Sequence, residues 1–371
     1  MRKPIEKKWK LFLFTFISLL VLTLAACGSS DKSSTESGKS DGKASDDDVI
    51  ELVVNSWFSS DADVPNNVWK PWEKYVEEKT DGRVKVTVHY NGALAASNEV
   101  LEGVKSGLFD VGDTIALYYE DSQLFPLTIG ELPFAAGGDP DQASEIMKEF
   151  SAEYLDEIWD GVVKVGVGSP PPNYAFSTKP IDNLNYMKGK TARASTELEA
   201  LLVESMGGTP TQVSFEELYN SLDKGMIETF FTTKDVFAAL QLADVAPNYL
   251  DQPVKIAVGT ALMNEDFFNS LPKDLQTLFA EDINPKWEEL YKENARKVME
   301  RNDEVAKMAK EAGGTVTKFS EKELLELQQY AVPVWEQWVK NANEKGYPGD
   351  EMLKRYIEIS KKHGVELEFL K

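Results

Sequence analysis

The sequence predicts an α/β protein of two lobes, and three observations carry that expectation. Strand-like and helix-like segments alternate in two separate stretches, one from Ile50 to Gly112 and one from Val162 to Val258, as expected of strands covered by helices. Three consecutive prolines, Pro170 to Pro172, stop the strand that opens the second stretch and suit a stiff crossover between lobes. At 371 residues the chain is also longer than a single hydrophobic core usually organises. The divisions expected are an export segment at 1–26, a tether at 27–48, a first lobe at 49–170, a second at 171–258, and over 259–371 a return to the first lobe with a long hinge-spanning helix and C-terminal helices.

The N-terminus reads as a targeting segment. Arg2, Lys3, Lys7, Lys8 and Lys10 form a basic start, and Leu11 to Ala26 is an apolar run too short for a comfortable membrane span. It ends in Leu24-Ala25-Ala26-Cys27, which resembles a bacterial lipobox with Cys27 as the lipidated residue; an ordinary signal peptide with an incidental cysteine is the other reading. A diacylglyceryl anchor has the chains that stable membrane attachment needs, because one acyl chain binds only reversibly. Gly28 to Asp48 is Ser, Gly, Lys and Asp without a large apolar residue, a flexible tether with a typical reach of roughly 25 Å.

The folded part opens with a strand at Ile50–Val54. Val64 to Lys79 then places Val68, Trp69, Trp72, Tyr75 and Val76 at helical spacing. Asp81-Gly82 turns the chain into Val84–Tyr90, a period-two strand; a helix over 97–106 and a short buried strand over 108–112 follow. This alternation predicts a mainly parallel sheet. In the second unit the pattern predicts strands at Val162–Val167, Lys190–Ala194, Thr211–Val213 and Met226–Phe231. Helices are expected over Thr196–Met206, closed by Gly207-Gly208, and over Phe215–Lys224. From Lys273 to Ala312 apolar residues keep helical spacing, interrupted by Pro285, and helices over Glu321–Asn343 and Gly349–His363 finish the chain. The part after Pro285, roughly 40 Å at 1.5 Å per residue, is long enough to cross both lobes. Leu324, Leu327, Trp335 and Trp338 form a core stripe.

Composition excludes several function classes. With 62 acidic against 40 basic residues the net charge is −22, which argues against nucleic-acid binding. One Cys and two His leave no material for a disulfide framework or zinc cluster and little for His-based acid–base chemistry. His89 stands in a strand without a second ligand nearby, so no metal and no cofactor are expected. The chain has no Gly-x-Ser-x-Gly and no convincing pair of carboxylates, so no catalytic residues are expected and it reads as a non-enzyme.

Several strings, in order, resemble the solute-binding proteins of tripartite ATP-independent periplasmic (TRAP) transporters, the DctP type. They are Asn91-Gly92-Ala93-Leu94 with Glu99, Gly107 and Asp110; Leu124-Phe125-Pro126-Leu127 with Glu131-Leu132-Pro133-Phe134; and Met187 to Arg193. Gly207-Gly208-Thr209-Pro210, the block Phe215 to Gly225, Ser270-Leu271-Pro272 and Val332-Pro333-Val334-Trp335 complete the series. The resemblance implies a periplasmic-binding-protein-like fold with hinge strands, a long helix spanning both lobes and a ligand enclosed between them. It also implies a small organic acid as ligand, partnership with the small and large membrane subunits, and ion-driven uptake. A monomer, lipid-anchored on the extracytoplasmic face of the cell membrane, is expected.

By the same resemblance Arg193 holds the ligand's carboxylate. The chemistry fits independently, since a guanidinium offers a rigid fork of donors and stays charged at any working pH. Read from the residues alone, Arg193 would rather form a surface ion pair with Glu197 or Glu199. The family's frequent second Arg, near Pro172 to Phe176, is missing, and Glu228 to Thr233 replaces its amide-rich string. Both departures favour a smaller or more apolar monocarboxylate over a sialic acid or C4-dicarboxylate. Trp57 with Phe58, Tyr118 with Tyr119, Tyr174 and Phe230 are candidate walls of the pocket, where strand ends of an open sheet collect ligands; core packing is the alternative for each. Glu99 is a candidate acceptor for a ligand hydroxyl or ammonium, or a helix-start residue. The competing functions are an ABC-type binding lipoprotein, which would lack the spanning helix, and a surface lipoprotein enzyme.

Overall fold

The computed structural model describes residues 49–154, 158–213 and 217–371. The export segment and the whole tether, Cys27 included, lie outside the described residues. The first part of the chain forms β1 (Ile50–Asn55), α1 (Lys70–Lys79), β2 (Val84–His89), α2 (Val100–Lys105), β3 (Val111–Ile115), α3 (Pro140–Glu153) and β4 (Val162–Gly168). Next come β5 (Asn173–Ser177), β6 (Thr191–Arg193), α4 (Glu197–Ser205), β7 (Thr209–Thr211), α5 (Leu218–Asp223), β8 (Thr229–Thr233), α6 (Lys234–Ala239) and β9 (Asn248–Lys255). The last third holds β10 (Gly259–Asn264), α7 (Glu265–Ser270), α8 (Lys273–Leu278), α9 (Asn284–Met299), α10 (Asn302–Glu311), β11 (Val316–Thr317), α11 (Glu321–Gln328), α12 (Val332–Glu344) and α13 (Gly349–Lys362).

These strands make two sheets, ordered β2-β1-β3-β10-β4 and β11-β9-β5-β8-β6-β7. The chain crosses between them twice, from β4 to β5 through Pro170 to Pro172 and from β9 to β10 through Ile256 to Val258. Each crossover is pinned to the first lobe: Ser169 N–H donates to Ser144 Oγ at 2.9 Å, and Val258 N–H donates to Glu131 Oε1 at 2.8 Å. The sheets are mixed rather than mainly parallel. β1 runs parallel to β2 and β3, but β10 runs antiparallel to both β3 and β4, and β5 antiparallel to β8 and β9. A chain that leaves a sheet by one crossover and returns by the other re-enters reversed, which local alternation of elements cannot reveal.

The long helical stretch breaks elsewhere than expected. Pro285 stands at the start of α9, directly after a π-helical turn at Phe279–Ile283 that accommodates its ring without ending the helix. The interruption falls at Glu300–Arg301 instead. α9 packs on β4 and α3, while α10 packs on α6 of the second lobe and β11 joins the second sheet, so the expected hinge-spanning stretch reaches both lobes as two helices rather than one. Similarly, Pro333 opens a new helix, α12, after a 3-10 turn at Gln329–Ala331, where one helix over 321–343 was expected.

Three apolar clusters hold the lobes. Trp69, Trp72 and Trp287 centre one in the first lobe, and Phe176, Phe230, Phe237 and Tyr249 centre another in the second. The third gathers residues of both, including Phe125, Ile146 and Leu202, around Trp335 and Trp338 of α12. The predicted stripe is thus core: both indoles are buried and donate, Trp335 to Pro133 O at 3.0 Å and Trp338 to Thr128 Oγ1 at 2.8 Å.

Candidate functional site

Between the two sheets lies a cleft of about 1460 Å³. That exceeds the roughly 300–1,000 Å³ of pockets that enclose a small ligand, so the lobes stand apart. Arg193 reaches the cleft from the end of β6. Its Nε donates to Val213 O at 2.9 Å, which fixes the plane of the guanidinium. Among the described residues no carboxylate lies within ion-pair distance of it. Glu199, the alternative partner read from sequence, is engaged elsewhere: it accepts Ser195 N–H at 2.6 Å and forms an ion pair with Lys255 at 3.0 Å. Burial opposes the charge of Glu199, yet Lys255 and the Ser195 N–H hold its carboxyl below the usual range.

Of the predicted aromatic walls, Trp57 and Tyr118 line the cleft from the first lobe. The Trp57 ring lies 4.0 Å from that of Phe58 and meets Tyr118 edge-on at 6.4 Å. The Trp57 indole N–H has no hydrogen-bond partner among the described residues. Tyr119 is buried in the first lobe, donating to Ser97 O at 2.8 Å.

Phe230 and Tyr174 do not line the cleft. Phe230 is fully buried, stacked on Phe176 at 5.6 Å, and its neighbour Phe231 faces the cleft instead. Successive side chains of a strand point to opposite faces, so the two phenylalanines divide between core and cleft. The same alternation turns Asn173 to the cleft and Tyr174 inward, where the buried Lys234 ammonium sits 4.4 Å from its ring. Glu99 is exposed away from the cleft and accepts Ala96 N–H at 3.2 Å just before α2, so it acts locally at the helix start. Cys27 lies outside the described residues.

The cleft also holds ionisable groups that sequence patterns did not single out as site residues. Glu131 lines it from the first lobe; burial pushes its carboxyl up to about 8, only partly countered by the Val258 N–H and the nearby Lys255 ammonium. At the cleft edge Arg301 reaches Asp63 at 2.5 Å, and Asp235, raised by burial, feels both charges. A carboxyl that is neutral when folded and charged when unfolded loses stabilising effect as pH rises from its unfolded value, about 4.3, toward its folded one. Stability should therefore fall between about pH 5 and 8. Asp113, buried and raised to about 7, acts in the same sense. Glu131→Gln should flatten this fall and leave the variant about 1–3 kcal/mol more stable than wild type at pH 8. Urea titrations at pH 5, 6.5 and 8 measure it, and equal slopes for both proteins would refute the assignment.

The profile of the DctP family, bacterial extracellular solute-binding protein family 7, matches residues 56–341. The chain belongs to this family. It is a DctP-type extracytoplasmic solute-binding protein, the class that serves TRAP transporters. A curated relative, the outer membrane transporter protein TsaT of Comamonas testosteroni, is 26% identical over 316 residues, 82% of this chain and 90% of the relative. A TRAP periplasmic solute-binding protein from Desulfovibrio salexigens, solved as an open complex, matches with a TM-score of 0.74 at 22% identity, covering 87% of this chain and 99% of that one. A marine metagenome TRAP solute-binding protein specific for aromatic acid ligands, solved with metahydroxyphenylacetate, matches with a TM-score of 0.74 at 20% identity over 85% and 99% of the two chains. At such identities the likeness establishes the two-lobed fold.

Proposed function

We propose that this DctP-type protein captures a small organic monocarboxylate with an apolar or aromatic body and delivers it to the two membrane subunits of a TRAP transporter for ion-driven uptake. The observation that carries the reading is Arg193, a guanidinium oriented by Val213 at the cleft wall with no carboxylate partner among the described residues. Such a fork gains most from an anion that enters and is then sealed from water by lobe closure. Trp57, Phe58, Tyr118 and Phe231 supply apolar surface for the rest of the ligand. Two structural relatives of this kind hold aromatic acids, metahydroxyphenylacetate in one and benzoate in another. The protein binds without transforming its ligand: closure about the two crossovers shifts the population toward the form that the membrane subunits recognise.

The test is a thermal-shift screen of the purified mature chain against monocarboxylates and C4-dicarboxylates. A monocarboxylate at 100 times its dissociation constant should add about 2.7 kcal/mol of stability. Stabilisation by dicarboxylates alone, or turnover of any acid, would sink the reading.

We further infer attachment through a lipidated Cys27 to the outer face of the cell membrane, as a monomer on its tether. Among the described residues no helix is long and apolar enough to cross a membrane. Cys27→Ala should release the protein into the soluble fraction on cell fractionation; continued retention would count against the lipobox.

A further inference from the structure

Arg193 is not the only cation on its wall of the cleft. Lys255, the last residue of β9, is in register with Asn173, the first residue of β5, and both line the cleft with Arg193. The Lys255 ammonium pairs with Glu199 at 3.0 Å, the two side chains being 17% and 4% exposed. Glu199 is itself fixed at the start of α4. Its carboxylate accepts Ser195 N–H at 2.6 Å and its own N–H donates to Thr196 Oγ1 at 3.2 Å. Arg193 is near enough for its charge to act on the same carboxylate.

A buried ion pair of this kind gives little net stability, because desolvation offsets most of its Coulomb energy and an apolar pair of similar size would fill the wall as well. Its placement suits a ligand instead. Arg193 and Lys255 against Glu199 leave a single net positive charge at this corner while the neighbouring Glu131 carboxyl stays protonated, enough for one ligand carboxylate. The ammonium has three N–H donors, and among the described residues Glu199 is the one charged partner they meet. Donors therefore remain beside those of the Arg193 fork, with the Asn173 amide adjacent.

We propose that Lys255 is a specificity-determining residue that hydrogen-bonds a second oxygen of the ligand, so that the preferred ligands are hydroxy or oxo acids rather than carboxylates with purely hydrocarbon bodies. This rests on Arg193 as the carboxylate anchor. Glu199 then acts as a positioning residue, holding the ammonium against the wall.

Titration calorimetry with three matched pairs tests it: phenylacetate and mandelate, benzoate and 3-hydroxybenzoate, propionate and lactate. In wild type the hydroxylated member of at least one pair should bind about 10-fold tighter or more, since a site built to hydrogen-bond a hydroxyl discriminates against the analogue lacking it. In Lys255→Met that advantage should shrink to about 3-fold or less, read as the ratio within each pair because both members lose the corner's net positive charge alike; Lys255→Arg should retain part of it. Wild type that binds the plain acids without preferring a hydroxylated one, or Lys255→Met that keeps the full preference, overturns the proposal and leaves the Arg193 reading standing. If none of the six acids binds wild type, the Arg193 reading falls and this proposal with it. Should Lys255→Met fail to fold, Lys255→Gln takes its place under the same criteria.

Discussion

Arg193→Ala should weaken ligand binding by a factor of roughly 30 or more while leaving the unliganded fold nearly as stable as wild type. The side chain makes one internal hydrogen bond, from Nε to Val213 O at 2.9 Å, and no ion pair among the described residues, so its removal costs the fold little. The ligand loses far more. Truncating one partner of a desolvated, hydrogen-bonded charge pair costs about 2–5 kcal/mol, a factor of roughly 30 to several thousand in dissociation constant. Arg193→Lys should fall between, because an ammonium keeps the charge but loses the planar fork. Calorimetric titration of the best acid from the thermal-shift screen measures all three proteins. Affinity of Arg193→Ala within about threefold of wild type would remove Arg193 from the site.

The largest stability effect is expected at Trp338. It is fully buried, its ring stacks on Phe125 at 5.3 Å and 9°, and its indole N–H donates to Thr128 Oγ1 at 2.8 Å. Phe125 in turn stacks on Tyr347 at 5.8 Å. Trp338→Ala should cost about 3–5 kcal/mol, from lost transfer energy and a cavity that the surrounding rings fill poorly. Thr128 Oγ1 keeps its own bond to Phe125 O at 2.7 Å, so the hydroxyl is not left without an acceptor. A fall in the midpoint of chemical denaturation at unchanged slope would report this loss. A loss under about 1 kcal/mol would mean that α12 is not the shared core of the two lobes.

Much of the fold was legible because periodicity is local. The helical spacing around Trp69 and Trp72 and the period-two strand at Val84–His89 depend on near neighbours, and the structure has both. Thr196 could be read as a helix start, and its Oγ1 does accept the Glu199 N–H. The cleft was less legible. β8 reads Thr-Phe-Phe-Thr-Thr and is buried over its first four residues, so polarity does not mark which phenylalanine faces the core and which the ligand space. Glu99 sat in a family-like string, but the string ends at a helix start outside the cleft. Lys255 carried no local signal, since its importance comes from pairing in register with Asn173 and meeting Glu199, both distant in sequence.

By itself the sequence determined an exported α/β chain with two alternating units, a stiff proline crossover, and an arginine placed at a strand end. Without residues 1–26, read as an export segment, the chain has 61 acidic against 35 basic residues, a net charge of −26, so attraction of a carboxylate falls to local groups, long-range charge being screened within about 10 Å. Only the tertiary structure decided which local groups those are. Strand order, direction and register are set by long-range pairing between crossovers, and that pairing brings Lys255 and Glu199 to the wall that Arg193 occupies while turning Phe230 and Tyr174 into the core.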